Sequence, residues 1–305
     1  MDRLLITGAS GLLGSNLVFA AADYYAVTAI TNQHHLRHHG VDVFSADLTK
    51  TGVALEIMRA VQPEVVVHAA AEANVDRCEQ DEQWAYLHNR DMAYEVAAAA
   101  RSTGAYLIHI STDAVFDGRR DHHVETDILT PVNSYSRSKA AGETVVQEAH
   151  PEATIVRTNF YGWNMLDKFS LAEWFLDHLE QGQACCGFDD VWITPLLVND
   201  LVAYLLRMME MKHSGIYHLG GADCVSKYQF GRVLATVGGF DPDLIRPGSV
   251  NEAGLKAPRP LKLCLDSSKI CRALDIETPS FIAGSTRFLA LREEGYVDSL
   301  KAMSK

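Results

Sequence analysis

Tyr135 and Lys139, in the run Asn133-Ser134-Tyr135-Ser136-Arg137-Ser138-Lys139, form the pair in this chain best suited to moving a proton. Four residues apart on a helix, they share one face, so the ammonium can lie near the phenol. A free phenol titrates at about pH 10, and a nearby cation favours its ionised form, which makes Lys139 a candidate to lower the pKa of Tyr135. A second group of polar atoms closes the apolar run Leu107-Ile108-His109-Ile110, which ends in Ser111, Thr112 and Asp113. The third feature stands at the start of the chain, where Leu4-Leu5-Ile6-Thr7 runs into Gly8, Gly11 and Gly14. Gly8 permits a tight turn off a strand, Gly11 leaves no side chain between backbone and a pyrophosphate, and Gly14 lets a helix pack close to the sheet. The N–H groups and dipole of that helix favour an anion, so the turn has the form of a dinucleotide site.

These groups work together only if strands bring them to one edge. Candidate strands are 3–7, 26–31, 41–45, 64–69, 105–110 and 153–157, several of them unbroken apolar runs of the kind buried on both faces of a parallel sheet. Helical segments at 11–22, 52–61, 82–103 and 133–149 alternate with them, which predicts an α/β fold with a doubly wound parallel sheet, of Rossmann type. Ligands of such sheets bind at the carboxyl ends of the strands, where Thr112 falls. Further helices are expected at 167–181 and 196–211, and from 238 onward frequent Gly and Pro suggest a loop-rich, smaller C-terminal α/β lobe. The expected division is a nucleotide-binding domain over 1–165, rejoined by 190–218, and a substrate-binding lobe from 166–189 and 219–305.

The chain has 305 residues, 48% of them hydrophobic, enough for a substantial core. A formal net charge of −12 argues against nucleic acid or an acidic membrane as partner, so an anionic ligand must be held by local donors. No apolar run has the length of a membrane span, and a strand beginning at residue 3 leaves no room for a signal peptide, so a cytoplasmic protein is expected. Six cysteines (78, 185, 186, 224, 264 and 271) lack metal-type spacing and are expected to be free thiols.

The motifs together resemble those of an extended short-chain dehydrogenase/reductase. Thr-Gly-x-x-Gly-x-x-Gly stands at Thr7 to Gly14 and Tyr-x-x-x-Lys at Tyr135 to Lys139. Within that family the chain is similar to the dTDP-4-dehydrorhamnose reductase group, through His68-Ala69-Ala70-Ala71, Val75 to Glu79, Ser111 to Phe116, Gly142-Glu143, Arg157-Thr158, Gly215 to His218 and Arg259-Pro260. The resemblance implies reduction of the C4 ketone of a nucleotide-linked 4-keto-6-deoxy sugar, with Tyr135 delivering the proton, Thr112 bonding the carbonyl oxygen and Lys139 tuning the phenol and holding the nicotinamide ribose. It further implies that Gly8, Ser10, Gly11, Leu12, Leu13, Gly14, Thr31, Asn32, Asp47, Leu48, Ala69, Ala70, Ala71 and Thr158 surround the cofactor, and that Val75, Asp113, Phe160 and Arg259 meet the substrate. Ala114 stands where the group has a tyrosine and Phe160 where it has a tryptophan, so the sugar pocket is altered. Ala114 also lacks the acid that dehydratases of the superfamily use after the Thr-Asp pair. Asn16 replaces a glutamate that holds magnesium between subunits in some members, and no metal is expected.

An acid at the end of the second strand would bind the ribose of NAD; here Ile30-Thr31-Asn32-Gln33-His34-His35-Leu36-Arg37 carries none, which favours NADP (NADPH) over NAD. Histidines 34, 35, 38 and 39 have no Cys or carboxylate to complete a ligand set and are read as a polar loop, as is His122-His123. Lys256, Arg259 and Lys262 are candidates for a substrate diphosphate. A homodimer is possible. Two other functions share the motifs: a nucleotide-sugar epimerase, and an NADP-binding regulatory subunit resembling that of methionine adenosyltransferase.

Overall fold

The computed structural model describes residues 1–305. The first half alternates strand and helix: β1 (Arg3–Thr7), α1 (Leu12–Ala21), β2 (Ala26–Thr31), β3 (Asp42–Ser45), α2 (Val53–Val61), β4 (Val65–His68), α3 (Val75–Gln80), α4 (Glu82–Tyr86), α5 (Met92–Thr103), β5 (Tyr106–Thr112), α6 (Ser134–Ala149) and β6 (Thr154–Thr158). The second half contains β7 (Phe160–Tyr161), α7 (Leu171–Glu180), β8 (Cys185–Phe188), β9 (Trp192–Ile193), β10 (Leu196–Leu197), α8 (Val198–Met211), β11 (Gly215–Leu219), β12 (Val225–Ser226), α9 (Lys227–Val237), β13 (Ile245–Gly248), β14 (Lys262–Leu263), α10 (Ser268–Leu274), α11 (Phe281–Glu293) and α12 (Tyr296–Ala302).

Seven strands form one sheet in the order β11-β6-β5-β4-β1-β2-β3, all parallel. The doubly wound sheet is therefore present. Its two-sided burial follows from strand alternation: Leu4, Ile6, Val65, Val67, Ile108 and Ile110 belong to one core, and Leu5, Val66, Leu107 and Ile155 to another on the opposite face with Met58, Val96, Ala97 and Ala100. The first core continues into the second half of the chain through Trp163, Phe175, Phe230, Phe281 and Phe288.

The lobe departs from the sequence-based picture in three ways. Residues 190–193, expected to belong with the nucleotide-binding domain, instead give β9 to a three-stranded sheet, β12-β9-β14, and the chain rejoins the first half with α8, packed on α1, and β11. Beyond 268 it is helical rather than loop-rich, and α12 lies against α1, where Tyr296 Oη donates to Asn16 Oδ1 at 2.6 Å. Asn16 Nδ2 donates to Leu12 O and Trp163 O, so its amide is spent on joining α1 to the second half. Finally, Cys224 and Cys264 form a disulfide, with Cα atoms 5.6 Å apart, in place of two free thiols. Forty residues separate them in the chain, and no local pattern announces the pairing.

The expected helix 82–103 is also interrupted. A π-helical turn at Leu87–Asp91 divides α4 from α5 and turns Asn89 inward. Asn89 accepts from Glu72 N at 2.9 Å and donates to Ser138 Oγ at 3.0 Å. The carbonyl of Asn89 lies so close to Gly142 that any Cβ there would strike it, so the bulge fixes how near α6 can come.

Candidate active site

The glycine turn is built by steric necessity. Gly8 has φ +66°, and a Cβ on it would lie 2.6 Å from Ala70 N; a Cβ on Gly14 would strike the carbonyl of Gly8. At Gly11 the nearest obstacle to a Cβ is Gly8 O at 3.2 Å, so its outer side stays open. Gly11 is also the N-cap of α1 and offers no side-chain cap, while the first turn carries no acid. The first N–H groups of α1 are thus left without a side-chain cap or a competing carboxylate, an arrangement suited to an anion.

The remaining cofactor candidates line up at the carboxyl ends of neighbouring strands. Thr31 closes β2, with Asn32 exposed beyond it; Leu48 is buried after β3; Ala69, Ala70 and Ala71 follow β4; Thr158 closes β6. Asp47 is turned back on the chain, accepting from Thr49 N and Oγ1, and the Thr49 hydroxyl bond holds its carboxyl below its ordinary pKa. Leu13 is buried in the core and Ser10 nearly so. Thr158 Oγ1 is buried without a hydrogen-bond partner, an acceptor and donor left over for a ligand. Residues 32–40 form no helix; Leu36 anchors the segment in the core and Arg37 N donates to Met303 O at 2.7 Å, leaving His34, His35 and the Arg37 side chain exposed. Open glycine cradle, orphaned threonine and acid-free strand end fit a phosphorylated dinucleotide.

Beneath α6 the sheet changes character. On the strand face that carries Leu5, Val66 and Leu107, the next positions toward the carboxyl ends are Thr7, His68, His109 and Ser111, all buried. Thr7 Oγ1 bonds His68 Nδ1 at 2.7 Å and accepts from Ala70 N, and His68 stacks on His109 with ring centroids 5.2 Å apart. Burial drives both imidazoles toward neutrality, His68 to a pKa of about 3, and the Lys139 charge adds to the effect. Ser111 donates to Glu143 Oε1 at 2.5 Å, and Glu143 pairs with Arg157 at 2.7 Å, both side chains fully enclosed. Ser111 is thereby occupied with holding α6 to the sheet.

Asn133 caps α6 by accepting from Ser136 N, which sets Tyr135 and Lys139 on the face turned toward β5. Thr112, Asp113 and Tyr135 meet there. Thr112 Oγ1 donates to Asp113 Oδ1 at 3.0 Å and accepts from Ala114 N at 3.1 Å, and it lies beside the phenol. Burial pushes Tyr135 up to about 12; the Thr112 hydrogen bond pulls downward and the Asp113 charge upward. Lys139 is not among the groups that shift the phenol; its ammonium is directed to Ile110 O at 2.8 Å. Burial draws Lys139 down to about 8 against the opposing charge of Glu143, one turn further along α6. Asp113 also accepts from Asn159 Nδ2 at 2.8 Å, and burial raises its carboxyl to about 6.

Of the substrate candidates, Val75 is the first residue of α3 and Phe160 opens β7, both half-buried. Arg259 is not a free cation: Nη2 pairs with Asp76 at 2.9 Å and Nη1 donates to Ala257 O at 2.7 Å. Lys262 is paired with Asp121 at 3.1 Å at the surface, and Lys256 is exposed. His123, read from sequence as part of a loop, is buried and stacked on Phe116 at 4.0 Å. Sequence reasoning passed over Asn89 and Lys227. The latter opens α9 across the cleft and feels the charges of both Asp113 and Arg259.

A parallel sheet with a glycine turn on β1 and a threonine, tyrosine and lysine at its carboxyl edge defines an extended short-chain dehydrogenase/reductase. The chain belongs to the family described as RmlD substrate binding domain, whose model matches residues 1–293. It is 30% identical over 281 residues to the probable low-salt glycan biosynthesis reductase Agl14 of Haloferax volcanii, covering 90% of this chain and 93% of that one. With the dTDP-4-dehydrorhamnose reductase of Mycobacterium tuberculosis it shares 34% identity over 266 residues, 85% and 83% of the two chains. Among solved structures, the dTDP-4-dehydrorhamnose reductase of Bacillus anthracis in complex with NADP matches with a TM-score of 0.84 and 27% identity, covering 95% of this chain and 99% of that one.

Proposed function

We propose that this chain uses NADPH to reduce the C4 ketone of a nucleotide-linked 4-keto-6-deoxy sugar, in the cytoplasm. The observation that carries the reading is a phenol on α6 beside a threonine hydroxyl at the end of β5, on the sheet edge that also presents an open glycine turn. The relatives named as reductases of dTDP-4-keto sugars, and the NADP-bound neighbour, support the choice of substrate and cofactor. The reduced nicotinamide supplies the hydride that reaches C4. Tyr135 Oη gives its proton to the carbonyl oxygen as that oxygen gains charge; the phenol carries that proton at neutral pH, and burial, which makes it a weaker acid, must be offset by the charge growing on the oxygen. Thr112 has one proton, now directed at Asp113, and must rotate its O–H to serve the same oxygen. Lys139 supplies a buried positive charge under the site. His34, His35 and Arg37 give the cofactor a rim without carboxylates, which suits a 2′-phosphate. Val75, Asp113, Phe160 and Arg259 bound the sugar side.

The test is incubation with NADPH and dTDP-, GDP-, UDP- and CDP-4-keto-6-deoxy sugars, following loss of reduced-nicotinamide absorbance. Consumption with at least one of them, giving a C4 hydroxyl, is expected. NADPH binding with no consumption on any would end the reading and leave a cofactor-binding protein.

A further inference from the structure

We infer that the ammonium of Lys227 is the anion-binding group of the substrate cleft and takes a phosphate oxygen of the nucleoside diphosphate. The inference rests on the nucleotide-linked substrate proposed above and names the side chain that would recognise its charged part.

The backbone at this position is fixed on several sides. Ser226 accepts from Gln229 N, and Gln229 Oε1 accepts from Ser226 N, a reciprocal cap that sets where α9 begins. Lys227 N donates to Val191 O at 3.0 Å. Gly187 of β8 packs so closely on the next residue that a Cβ would lie 2.6 Å from Tyr228 Cα. From this seat the side chain passes the ring of Phe188, with Nζ 5.8 Å from its centroid.

Three other charges share this side of the cleft, and each is already engaged. Asp113 accepts from Thr112 and Asn159. Arg259 and Asp76 hold each other. Lys227 forms no ion pair; its charge is felt by Asp113 and opposed by Arg259, and burial makes the charged form less favourable. A partly desolvated ammonium that no carboxylate touches, with Asp113 acting on it only from beyond contact distance, is less favourable than one completed by a bound anion. Its place fits such a ligand. Asp113 lies beside the reacting Thr112 and Tyr135, Arg259 lies away toward α3, and Lys227 stands where it interacts with both. A sugar with C4 at Tyr135 would send its diphosphate from the reaction centre past Lys227. On a chain of net charge −12, one free cation at that point is the local donor an anionic substrate needs.

The experiment measures binding of dTDP, UDP, GDP and thymidine by calorimetry to the NADPH-loaded wild type, Lys227→Met and Lys227→Arg. We expect at least one diphosphate to bind the wild type and to lose tenfold or more in affinity in Lys227→Met, with Lys227→Arg recovering most of the loss and thymidine unaffected. Equal diphosphate affinity in wild type and Lys227→Met overturns the inference, as does a wild type that binds none of them. A Lys227→Met protein that keeps diphosphate affinity but shifts the pH profile of kcat would show that the lysine acts on Asp113, and also overturns it. NADPH affinity reports on folding of each variant. Failure of the wild type to reduce any keto sugar would remove the proposed function while leaving this binding comparison decisive for Lys227.

Discussion

The glycine turn and the C-terminal third of the chain are held in place by different means. Gly8, Gly11 and Gly14 lie within seven consecutive residues, and their geometry follows from backbone contacts with Ala70 and with each other. The lobe is assembled from strands of two to four residues in separate small sheets, fastened by side chains far apart in sequence: Cys224 to Cys264, Arg259 to Asp76, Asn133 to Pro258. A regular sheet can carry a reaction centre with little help. The lobe owes its shape to individual ties, so substrate choice can change by altering one of them without disturbing the chemistry.

The sharpest way to separate the two regions is to remove the reacting group alone. Tyr135→Phe keeps the ring that packs beside Thr112 and loses only the hydroxyl that carries the proton. The expected result is a fall in ketone reduction of about a thousandfold or more, of the order general-acid catalysis contributes, with NADPH affinity within a few-fold of wild type. Stopped-flow reduction and fluorescence titration measure the two quantities. Activity within tenfold of wild type would remove Tyr135 from the chemistry and with it the claim that the sheet edge carries the reaction.

The strongest tie in the lobe should show in stability. Closing a loop of 40 residues with the Cys224–Cys264 bond stabilises by up to about 4 kcal/mol on a chain-entropy account. Cys224→Ser, or the wild type under reductant, should therefore melt at lower temperature, whereas NADPH affinity, seated on the sheet, should hold. A melting temperature indifferent to reductant would mean that other contacts fix the lobe.

The same contrast explains what could be read before the structure. The parallel sheet was legible because its strands are short apolar runs alternating with helices, and the glycine turn because Gly8, Gly11 and Gly14 stand within one short stretch. Thr112 and the Tyr135–Lys139 pair come from two separate stretches that the sheet and α6 bring to one edge. The tie of Arg259 to Asp76 spans 183 positions and left no local trace, so Arg259 read as a free phosphate ligand. His123 does lie in a loop, but its burial left no local trace, because Phe116, which stacks on it, is brought to it only by the folded chain. Asn89 offered one usable sign, a polar residue in a helix whose alanines pack on the sheet, but a π turn cannot be told from continuous helix by periodicity. Lys139 shows the limit of arguing from spacing: four residues place it on the right face, yet Ile110 O decides where the ammonium points.

Where the two regions meet, Asp113 supplies a pH-dependent test. Its carboxyl is 2% exposed and raised from 3.8 to about 6, so burying the charge disfavours the folded state by about 3 kcal/mol at most. The sign follows from the raised value. The folded protein binds the proton more tightly, so the group's relative stabilising contribution is complete below pH 3.8 and is lost as pH rises through 6. Asp113→Asn, with the Asn159 amide turned to present its oxygen, should raise the melting temperature at pH 7 to 8, and the advantage should shrink as pH falls toward 4. An advantage constant across that range would mean that packing, and not the charge, sets the difference.

The smallest effect expected is at the clasp between α3 and the lobe. Asp76 and Arg259 are 31% and 19% exposed, so water screens the pair, and Asp76→Asn should cost about 1 kcal/mol or less in urea denaturation. Asp76 Oδ1 also accepts from Ala257 N at 3.1 Å, a bond the amide oxygen of asparagine can keep. The informative readout is therefore the substrate: removing the carboxylate charge leaves Arg259 as a second uncompensated cation beside Lys227, and KM for a nucleotide-linked sugar should move by several-fold while kcat stays near wild type. A loss well above 2 kcal/mol instead would show that the halves unfold as one body through this contact, and the lobe could no longer be treated as a set of independent ties.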